Sequence, residues 1–164
     1  MRRIALCLMI TMVAQIAMAQ TAGVAFGGIK GDPTLPVDVT SESLTISQKD
    51  GSAEFAGKVL VVQGAMRLSA DLLRVEYKAD KSGVARLFAT GNVVLVNDKD
   101  AAAANEAVYS VDQGQVVMTG NVRLTQGETI LTASKMTVDL KTGLGTLEGG
   151  VTTSFAPKSV GGAN

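Results

Sequence analysis

The hydrophobic and polar positions of the chain follow a repeated pattern anchored on glycine. The phrase Gly-x-Val recurs at residues 57–59, 91–93, 120–122 and 149–151, so that the glycines stand 34, 29 and 29 residues apart. Periods of about 20–50 residues are typical of supersecondary units that stack because each is too small to bury its apolar face alone. The sequence therefore predicts a stack of units of about 30 residues.

Alternation within the clearest copy, Gly120–Leu140, predicts which side chains share a face. Val122 and Leu124 are apolar, whereas the residues between and after them are polar. Successive side chains of a strand point to opposite faces, so this valine and this leucine face inward. The same spacing in the earlier copies places four more residues on the inner face: Val59, Val61, Val93 and Leu95.

Each unit continues through a turn into two further strands. Gln63-Gly64, Asn97-Asp98 and Gln126-Gly127 mark the turns, since glycine and asparagine accept positive φ. The parity of apolar positions then changes near Ala70-Asp71, which predicts a bulge or corner. The inward positions of these later strands are Leu68, Leu73, Val75, Tyr77, Ala107, Tyr109, Val111, Leu131, Met136, Val138 and Leu140. We expect every unit to carry a continuous apolar stripe.

The first nineteen residues have the pattern of a cleaved export signal. Arg2-Arg3 precedes an apolar run from Ile4 to Ile16, and Ala17-Met18-Ala19 has the small residues of a cleavage site. The run is shorter than the roughly 20 apolar residues that a membrane-spanning helix needs. We therefore predict cleavage after Ala19 and export to the periplasm. An uncleaved anchor is the alternative.

Composition favours an all-β mature chain. Glycine accounts for 18 residues, and the alternating stretches are rich in valine and threonine, which favour strands. The predicted organisation is a signal peptide over 1–19, a flexible segment over 20–35, one β-domain over 36–155 and a disordered tail over 156–164. This periodicity alone leaves open an antiparallel jellyroll and a parallel β-helix.

Few residues are available for catalysis or metal binding. Histidine is absent, and the single cysteine, Cys7, lies within the predicted signal. The remaining candidates for acid–base chemistry are the carboxylates Asp71, Glu76, Glu106 and Asp139, which mostly alternate with basic residues as on a solvated surface. We predict no enzymatic activity, no cofactor and no metal. Removing Arg2 and Arg3 leaves 13 basic and 15 acidic residues, which argues against nucleic-acid binding.

The apolar stripe has two interpretations. It can be an ordinary filled core of a structural β-solenoid scaffold. Alternatively, the inner alanines, together with only six Phe and Tyr residues in the chain, leave an interior with little bulk that suits an apolar ligand such as an acyl chain.

Several phrases resemble a known family. The residues that carry the resemblance are Pro36-Val37-x-Val39-x-Ser41-Glu42, Phe55-Ala56-Gly57-Lys58-Val59-x-Val61-x-Gln63-Gly64, Leu68-x-Ala70-Asp71 and Met118-Thr119-Gly120-Asn121-Val122. Together they are similar to the OstA-like domain of the LptA family, the periplasmic component of the lipopolysaccharide-transport machinery of Gram-negative bacteria. The resemblance extends over roughly residues 36–155. One segment, Asp98–Ala104, departs from the family's pattern because an alanine run replaces a typical strand.

The resemblance implies a taco-shaped OstA-like β-jellyroll of consecutive antiparallel strands that holds the lipid A acyl chains of lipopolysaccharide. It also implies edge-strand pairing with an LptC-like inner-membrane protein, with an LptD-like outer-membrane protein and with further copies in a head-to-tail homo-oligomer. Such an assembly would bridge the periplasm from the inner to the outer membrane. An LptC-like sister component that keeps its N-terminal helix is the alternative within the same machinery.

The resemblance further implies which residues contact lipid. Val37 and Val39 match the first strand of the family, which contacts both lipid and the upstream partner. The complete predicted set is Val37, Val39, Val59, Val61, Leu68, Leu73, Val75, Tyr77, Val93, Leu95, Tyr109, Val111, Val122, Leu124, Leu131, Met136, Val138 and Leu140.

N-terminal sequencing of the exported protein tests the predicted signal. We expect the mature chain to begin at Gln20, because Ala17 and Ala19 present the small residues that the cleavage site needs. Recovery of the chain from the inner membrane with Met1 still attached would contradict cleavage and favour the anchored alternative.

Overall fold

The computed structural model describes residues 22–25, 32–49, 51–98 and 100–155. The predicted signal peptide and C-terminal tail lie outside these residues. Within the described part, no helix is long and apolar enough to span a bilayer. The strands are β1 (Ala22–Ala25), β2 (Asp38–Thr40), β3 (Ser43–Ile46), β4 (Ala53–Gln63), β5 (Met66–Tyr77), β6 (Val84–Asn97), β7 (Asp100–Ser110), β8 (Gln115–Gln126), β9 (Thr129–Asp139), β10 (Leu144–Glu148) and β11 (Thr152–Ser154).

All of these strands belong to one antiparallel sheet. Its order is β1-β10-β9-β8-β7-β6-β5-β4-β2, with β3 also paired to β4 and β11 also paired to β9. From β4 to β10 each strand pairs with the next one in the chain. The all-β jellyroll of consecutive antiparallel strands is thereby confirmed, and the parallel β-helix is excluded.

The sheet bends along a single line, which we call the corner. The pairing register shifts once near the middle of each long strand pair, for example between Ala56 and Val59 and between Thr119 and Val122. On β6 the shift falls at Gly91 and Asn92, whose φ angles are 77° and 47°. Two successive residues with left-handed backbone interrupt the ladder and turn the strand, as β-bulges do.

The corner divides every long strand into two arms. Arm A comprises the strand segments on the same side of the corner as Val59–Gln63. It ends at the turns after Gln63, Asn97 and Gln126. Arm B comprises the strand segments on the other side of the corner, the side of Ala53–Ala56. It ends at the turns after β5, β7 and β9. The second and third strands predicted for each unit are therefore the two arms of one bent strand. Gly57, Gly91 and Gly120 lie inside strands rather than at their starts.

The strands at the two ends of the sheet are also divided between arm A and arm B. On arm A, β2 pairs with Leu60–Val62, and on arm B, β3 pairs with residues 53–56. At the other end of the sheet, β10 pairs with arm B of β9 and β11 pairs with arm A of β9. Thus β2 with β3, and β10 with β11, are each the two halves of a bent terminal strand.

A polar side chain from the preceding strand packs on the corner glycine. A Cβ added at Gly91 would lie 2.5 Å from Asp71 Oδ2, and Asn92 Nδ2 donates a hydrogen bond of 2.8 Å to that oxygen. The other corners place Glu42, Asn105 and Ser134 in the corresponding positions. Asp71, Asn105 and Ser134 each stand fourteen residues past the glycine of their own repeat, so they share this packing role.

The core lies between the two arms. The inward residues of both arms form one cluster of buried side chains, including Val61 and Leu124 from arm A and Leu73 and Met136 from arm B. Because the sheet has no second layer among the described residues, the two arms cover each other's inner face across the bend.

Two segments without a clear strand pattern nevertheless contribute to the sheet or its turns. The segment 20–35, predicted to be flexible, contributes strand β1 at Ala22–Ala25 and a turn at Asp32–Leu35. The alanine run of Asp98–Ala104 forms part of a regular strand, β7, because paired neighbours on both sides supply its hydrogen bonds. Neither segment needs a strong strand pattern of its own when a neighbouring edge is available.

Gly91→Ala tests the packing at the corner. We expect it to lower the free energy of unfolding by about 1–2 kcal/mol for the left-handed backbone and by about 1–3 kcal/mol more for the contact with Asp71. Gly127→Ala is the matched control, because its φ is also positive, at 56°, while nothing lies within 4 Å of its added Cβ. If urea denaturation shows equal losses of unfolding free energy for the two variants, the Asp71 side chain moves aside without an energetic penalty.

Candidate functional site

Most of the predicted inner-face residues lie in the interior between the arms. Fourteen of the eighteen are at most 4% exposed. Their burial agrees with the alternation read from the sequence, and it shows that the arms are packed together. These residues are Val59, Val61, Leu68, Leu73, Val75, Val93, Leu95, Tyr109, Val122, Leu124, Leu131, Met136, Val138 and Leu140.

The other four lie toward the margin of the interior. Val37, Val39 and Val111 are partly buried against the core, while Tyr77 is 46% exposed. Tyr77 and the two N-terminal valines border a pocket of ≈ 200 Å³ between the first strands of the sheet. The pocket is lined by Val37, Val39, Phe55, Val75, Tyr77, Val84 and Leu87.

The inner face continues past this pocket without cover. Leu44 pairs directly with Phe55, and Ile46 with Ala53, so each pair shares a face of the sheet. Leu44 is nevertheless 51% exposed and Ile46 is 67% exposed. We call the pocket together with these two side chains the N-terminal mouth; it is an apolar opening that leads into the core.

Sequence reasoning missed a polar row along the edge of arm A. Gln63, Asn97 and Asp100 are 1%, 2% and 9% exposed, whereas the sequence pattern predicts only turns for the first two. Gln126 Nε2 donates a hydrogen bond of 3.0 Å to Asp100 Oδ2 within this row. The two-residue step that places Val59 and Val61 inward also reaches Gln63, so extending the alternation by one step would have found it.

A buried hydrogen bond connects the two arms inside the core. Tyr109, on arm B of β7, donates from its Oη to Gln63 Oε1 on arm A of β4 at 2.7 Å. Gln63 Nε2 in turn donates to the Leu35 carbonyl oxygen at 2.9 Å. Burial raises the pKa of the Tyr109 phenol above its ordinary value of 10.0, because a phenolate is poorly solvated there.

Two of the four carboxylates considered for catalysis, Glu76 and Asp139, have several structural partners. Glu76 forms ion pairs with Arg74 at 3.1 Å and with Arg86 at 2.7 Å. Asp139 Oδ1 accepts hydrogen bonds from the backbone N–H groups of Thr142 and Lys141, and the bond from Thr142 above all lowers the Asp139 pKa. Among the described residues, no group of three or more His, Cys, Asp and Glu side chains is placed to hold a metal ion.

The comparison with known families identifies the family. A sequence model for the family described as LptA/(LptD N-terminal domain) LPS transport protein matches residues 38–144. The chain belongs to this family. The matched range includes every strand from β2 to β9, and thus the bent sheet and its apolar interior, so the resemblance seen in the sequence is confirmed.

Two individual proteins illustrate the similarity. An uncharacterized protein of Rhizobium meliloti (strain 1021) is 26% identical over 141 residues, which cover 81% of this chain and 76% of that protein. The crystal structure of LptH from Pseudomonas aeruginosa, described as the LptA homologous periplasmic component of the lipopolysaccharide transport device, matches with a TM-score of 0.68. At 18% identity it covers 77% of this chain and 99% of LptH, which shows a shared fold.

Tyr109→Phe tests the hydrogen bond between the arms. Removing the hydroxyl leaves the buried Gln63 Oε1 without this donor, so we expect a loss of about 1–3 kcal/mol in the free energy of unfolding at neutral pH. Tyr77→Phe, at the chain's other and exposed tyrosine, should change little.

The pH dependence provides a second measurement on the same variants. Because the folded pKa of Tyr109 is raised, its contribution to stability is complete below about pH 10 and is lost as the pH rises further. Chemical denaturation from pH 7 to pH 11 should therefore show a steeper alkaline loss for the wild type than for Tyr109→Phe. Parallel curves would contradict the assignment.

Proposed function

We propose that this protein carries lipopolysaccharide across the periplasm by holding lipid A acyl chains between its two arms. The observation that carries the proposal is the apolar inner face, which runs from exposed Leu44 and Ile46 at the N-terminal mouth into the buried core. Such a surface receives an apolar ligand from the end of the sheet without exposing it to water. Membership in a lipopolysaccharide-transport family supports the same ligand.

The energetics favour a binding role over a catalytic one. Each methylene group removed from water gains about 0.8 kcal/mol, so an acyl chain crossing an aqueous compartment needs a continuous apolar cover. The protein hydrolyses nothing in this proposal and needs no cofactor or metal. Its partly buried Val37 and Val39 would make the first contacts with an incoming chain.

Entry of acyl chains requires the arms to separate. In the packed interior, residues such as Leu95 and Leu124 are 0% exposed, so lipid must replace contacts between the arms. The corner suits this movement, because the hydrogen-bonded ladder is interrupted there on every long strand pair. Apolar side chains would exchange protein neighbours for lipid neighbours, which keeps them out of water throughout.

The polar row would mark where the acyl chains end. Gln63, Asn97 and Asp100 lie at the outer limit of arm A, and an amphipathic lipid needs hydrogen-bonding groups at that boundary. The opposite limit, on arm B, carries the exposed Tyr77 and the loop after it. This asymmetry would orient the lipid in the interior.

The partners in this proposal bind through the ends of the sheet. Open sheet edges offer unpaired backbone groups to a further strand. An LptC-like inner-membrane protein would pair at the β2 and β3 end, and an LptD-like outer-membrane protein at the β10 and β11 end. Copies of this chain would join head to tail between them.

A structural scaffold is the second candidate. The burial of fourteen predicted lipid-contacting residues favours it, because a fully packed core needs no ligand. It differs from the carrier in one respect that can be measured, since purified scaffold would capture no lipid.

Photo-crosslinking distinguishes the two candidates. A photo-reactive amino acid at Leu44 or Leu124 should form an adduct with purified lipopolysaccharide, because both positions lie on the inner face. The neighbouring positions Thr45 and Arg123 are matched controls on the outer face and should give none. The adduct is detected by a shift in electrophoretic mobility that an antibody to lipopolysaccharide recognises.

The outcomes separate cleanly. No adduct at either inner position in folded protein overturns the carrier in favour of the scaffold. Equal adducts at all four positions would contradict the assignment of faces. Leu44 is included because it is half exposed, so a bulky replacement there leaves the core intact even if the one at Leu124 does not.

A further inference from the structure

The first strand lies at the wrong end of the sheet for its place in the chain. β1 precedes β2 in sequence, yet it pairs with β10 at one end of the sheet while β2 pairs with β4 at the other. Eight steps of about 4.8 Å separate the two strands in the sheet order, a path of roughly 38 Å if flat. Residues 26–37 connect them, with a reach of about 45 Å at full extension. On a flat sheet, pairing within one molecule would use most of that length.

β1 occupies the place that a further strand of arm B would take. β10 is the terminal strand of arm B, since it pairs with Lys135–Asp139 of β9. β1 covers the remaining edge of β10 in antiparallel register, from Ala22 opposite Leu147 to Ala25 opposite Leu144. The corresponding terminal strand of arm A, β11, carries no such cover among the described residues.

At the other end of the sheet, β3 has the matching geometry. It is the terminal strand of arm B there, it is four residues long, and its outer edge has no strand partner within the described residues. Because strands alternate in direction through the sheet, β3 of a following copy placed on β10 would run antiparallel to it, as β1 does. β1 and that β3 would therefore compete for one edge.

The pairing of β1 is suited to being replaced. It consists of four residue pairs, against ten between β8 and β9. Its sequence, AGVA, is mainly alanine and glycine, which are depleted in strands, whereas SLTI of β3 contains isoleucine and threonine, which are enriched. The sequence of β3 is thus the better strand former.

We infer that β1 is a displaceable strand that covers the β10 edge and must leave before β3 of a second copy binds there. The inference rests on the proposed head-to-tail assembly and adds a mechanism that regulates it. In the isolated molecule, β1 covers the β10 edge, which is the downstream edge of the sheet. Covering the edge also limits uncontrolled growth, because a head-to-tail contact that does not close into a ring continues into a filament.

A disulfide provides the decisive test. Gly23 and Thr146 are directly opposite in the register, and such pairs have Cα separations of about 4.5–5.5 Å, within the range of a disulfide. The assembly of the double variant Gly23→Cys with Thr146→Cys is measured by sedimentation velocity at a series of protein concentrations. The oxidised form is compared with the reduced form. The native Cys7 lies before the predicted cleavage site, so cleavage there leaves the two introduced cysteines as the only ones in the mature protein.

The expected result is that the oxidised protein stays monomeric and the reduced protein assembles as the wild type does. A second variant, Gly23→Pro with Val24→Pro, removes two successive backbone donors, one of which faces β10. Freeing the edge should lower the concentration at half-assembly by about tenfold or more, because a larger fraction of molecules is competent to bind. The same two prolines at Gly27 and Gly28, outside the strand, are the matched control.

A third variant identifies the competitor. Ile46→Glu places a charge at the exposed edge of β3, and adding it to the proline variant should abolish the extra assembly. Persistence of the assembly would mean that another strand binds the β10 edge and would overturn the role of β3.

Two results would overturn the inference as a whole. One is equal assembly of the oxidised and reduced protein, and the other is a half-assembly concentration unaffected by the prolines at 23 and 24. The lipid adduct at Leu44 is measured in parallel on the disulfide and proline variants, which leave the N-terminal mouth unchanged. If the adduct forms but β1 has no effect on assembly, the proposed lipid carrier is still supported and only the role of β1 is wrong. If the adduct is lost but β1 does affect assembly, only the lipid carrier is contradicted.

Discussion

The left-handed backbone at the corner is the constraint on which the remaining structure depends. At the glycine of each repeat and the residue after it, the ladder breaks and the strand turns, so one sheet becomes two arms. Without this bend the apolar residues of arm A and arm B would lie on an open sheet facing water. With it, a single layer of strands encloses its own core, and the interior, the mouth and the polar row all take their positions from it.

The alternation of the sequence predicted the inner face well because period-two patterning is a direct consequence of strand geometry. The same pattern could not show that the glycines lie inside strands, since a turn and a bend both need positive φ. Gln63 was misread for a related reason: its neighbour Gly64 does form a turn, but its own side chain points inward. A residue next to a turn still obeys the parity of its strand.

β1 was beyond prediction from its own residues. Backbone hydrogen bonds to an available edge require no particular side-chain pattern, and Ala22–Ala25 has none. The strand exists because β10 leaves an edge at the far end of the sheet. The interior and the edges thus call for different kinds of reasoning, since the first follows from side-chain periodicity and the second from which backbone groups remain unpaired.

The order of pairings has a consequence for how the chain folds. Among the described strands, each pairing apart from that of β1 joins strands that are adjacent or next but one in sequence. Hairpins of this kind close short loops, so the sheet can grow from its N-terminal hairpin one strand at a time. The pairing of β1 with β10 joins residues 22–25 to residues 144–147 and can form only after residue 147 has been made. Every newly made molecule therefore passes through an interval in which its downstream edge is open.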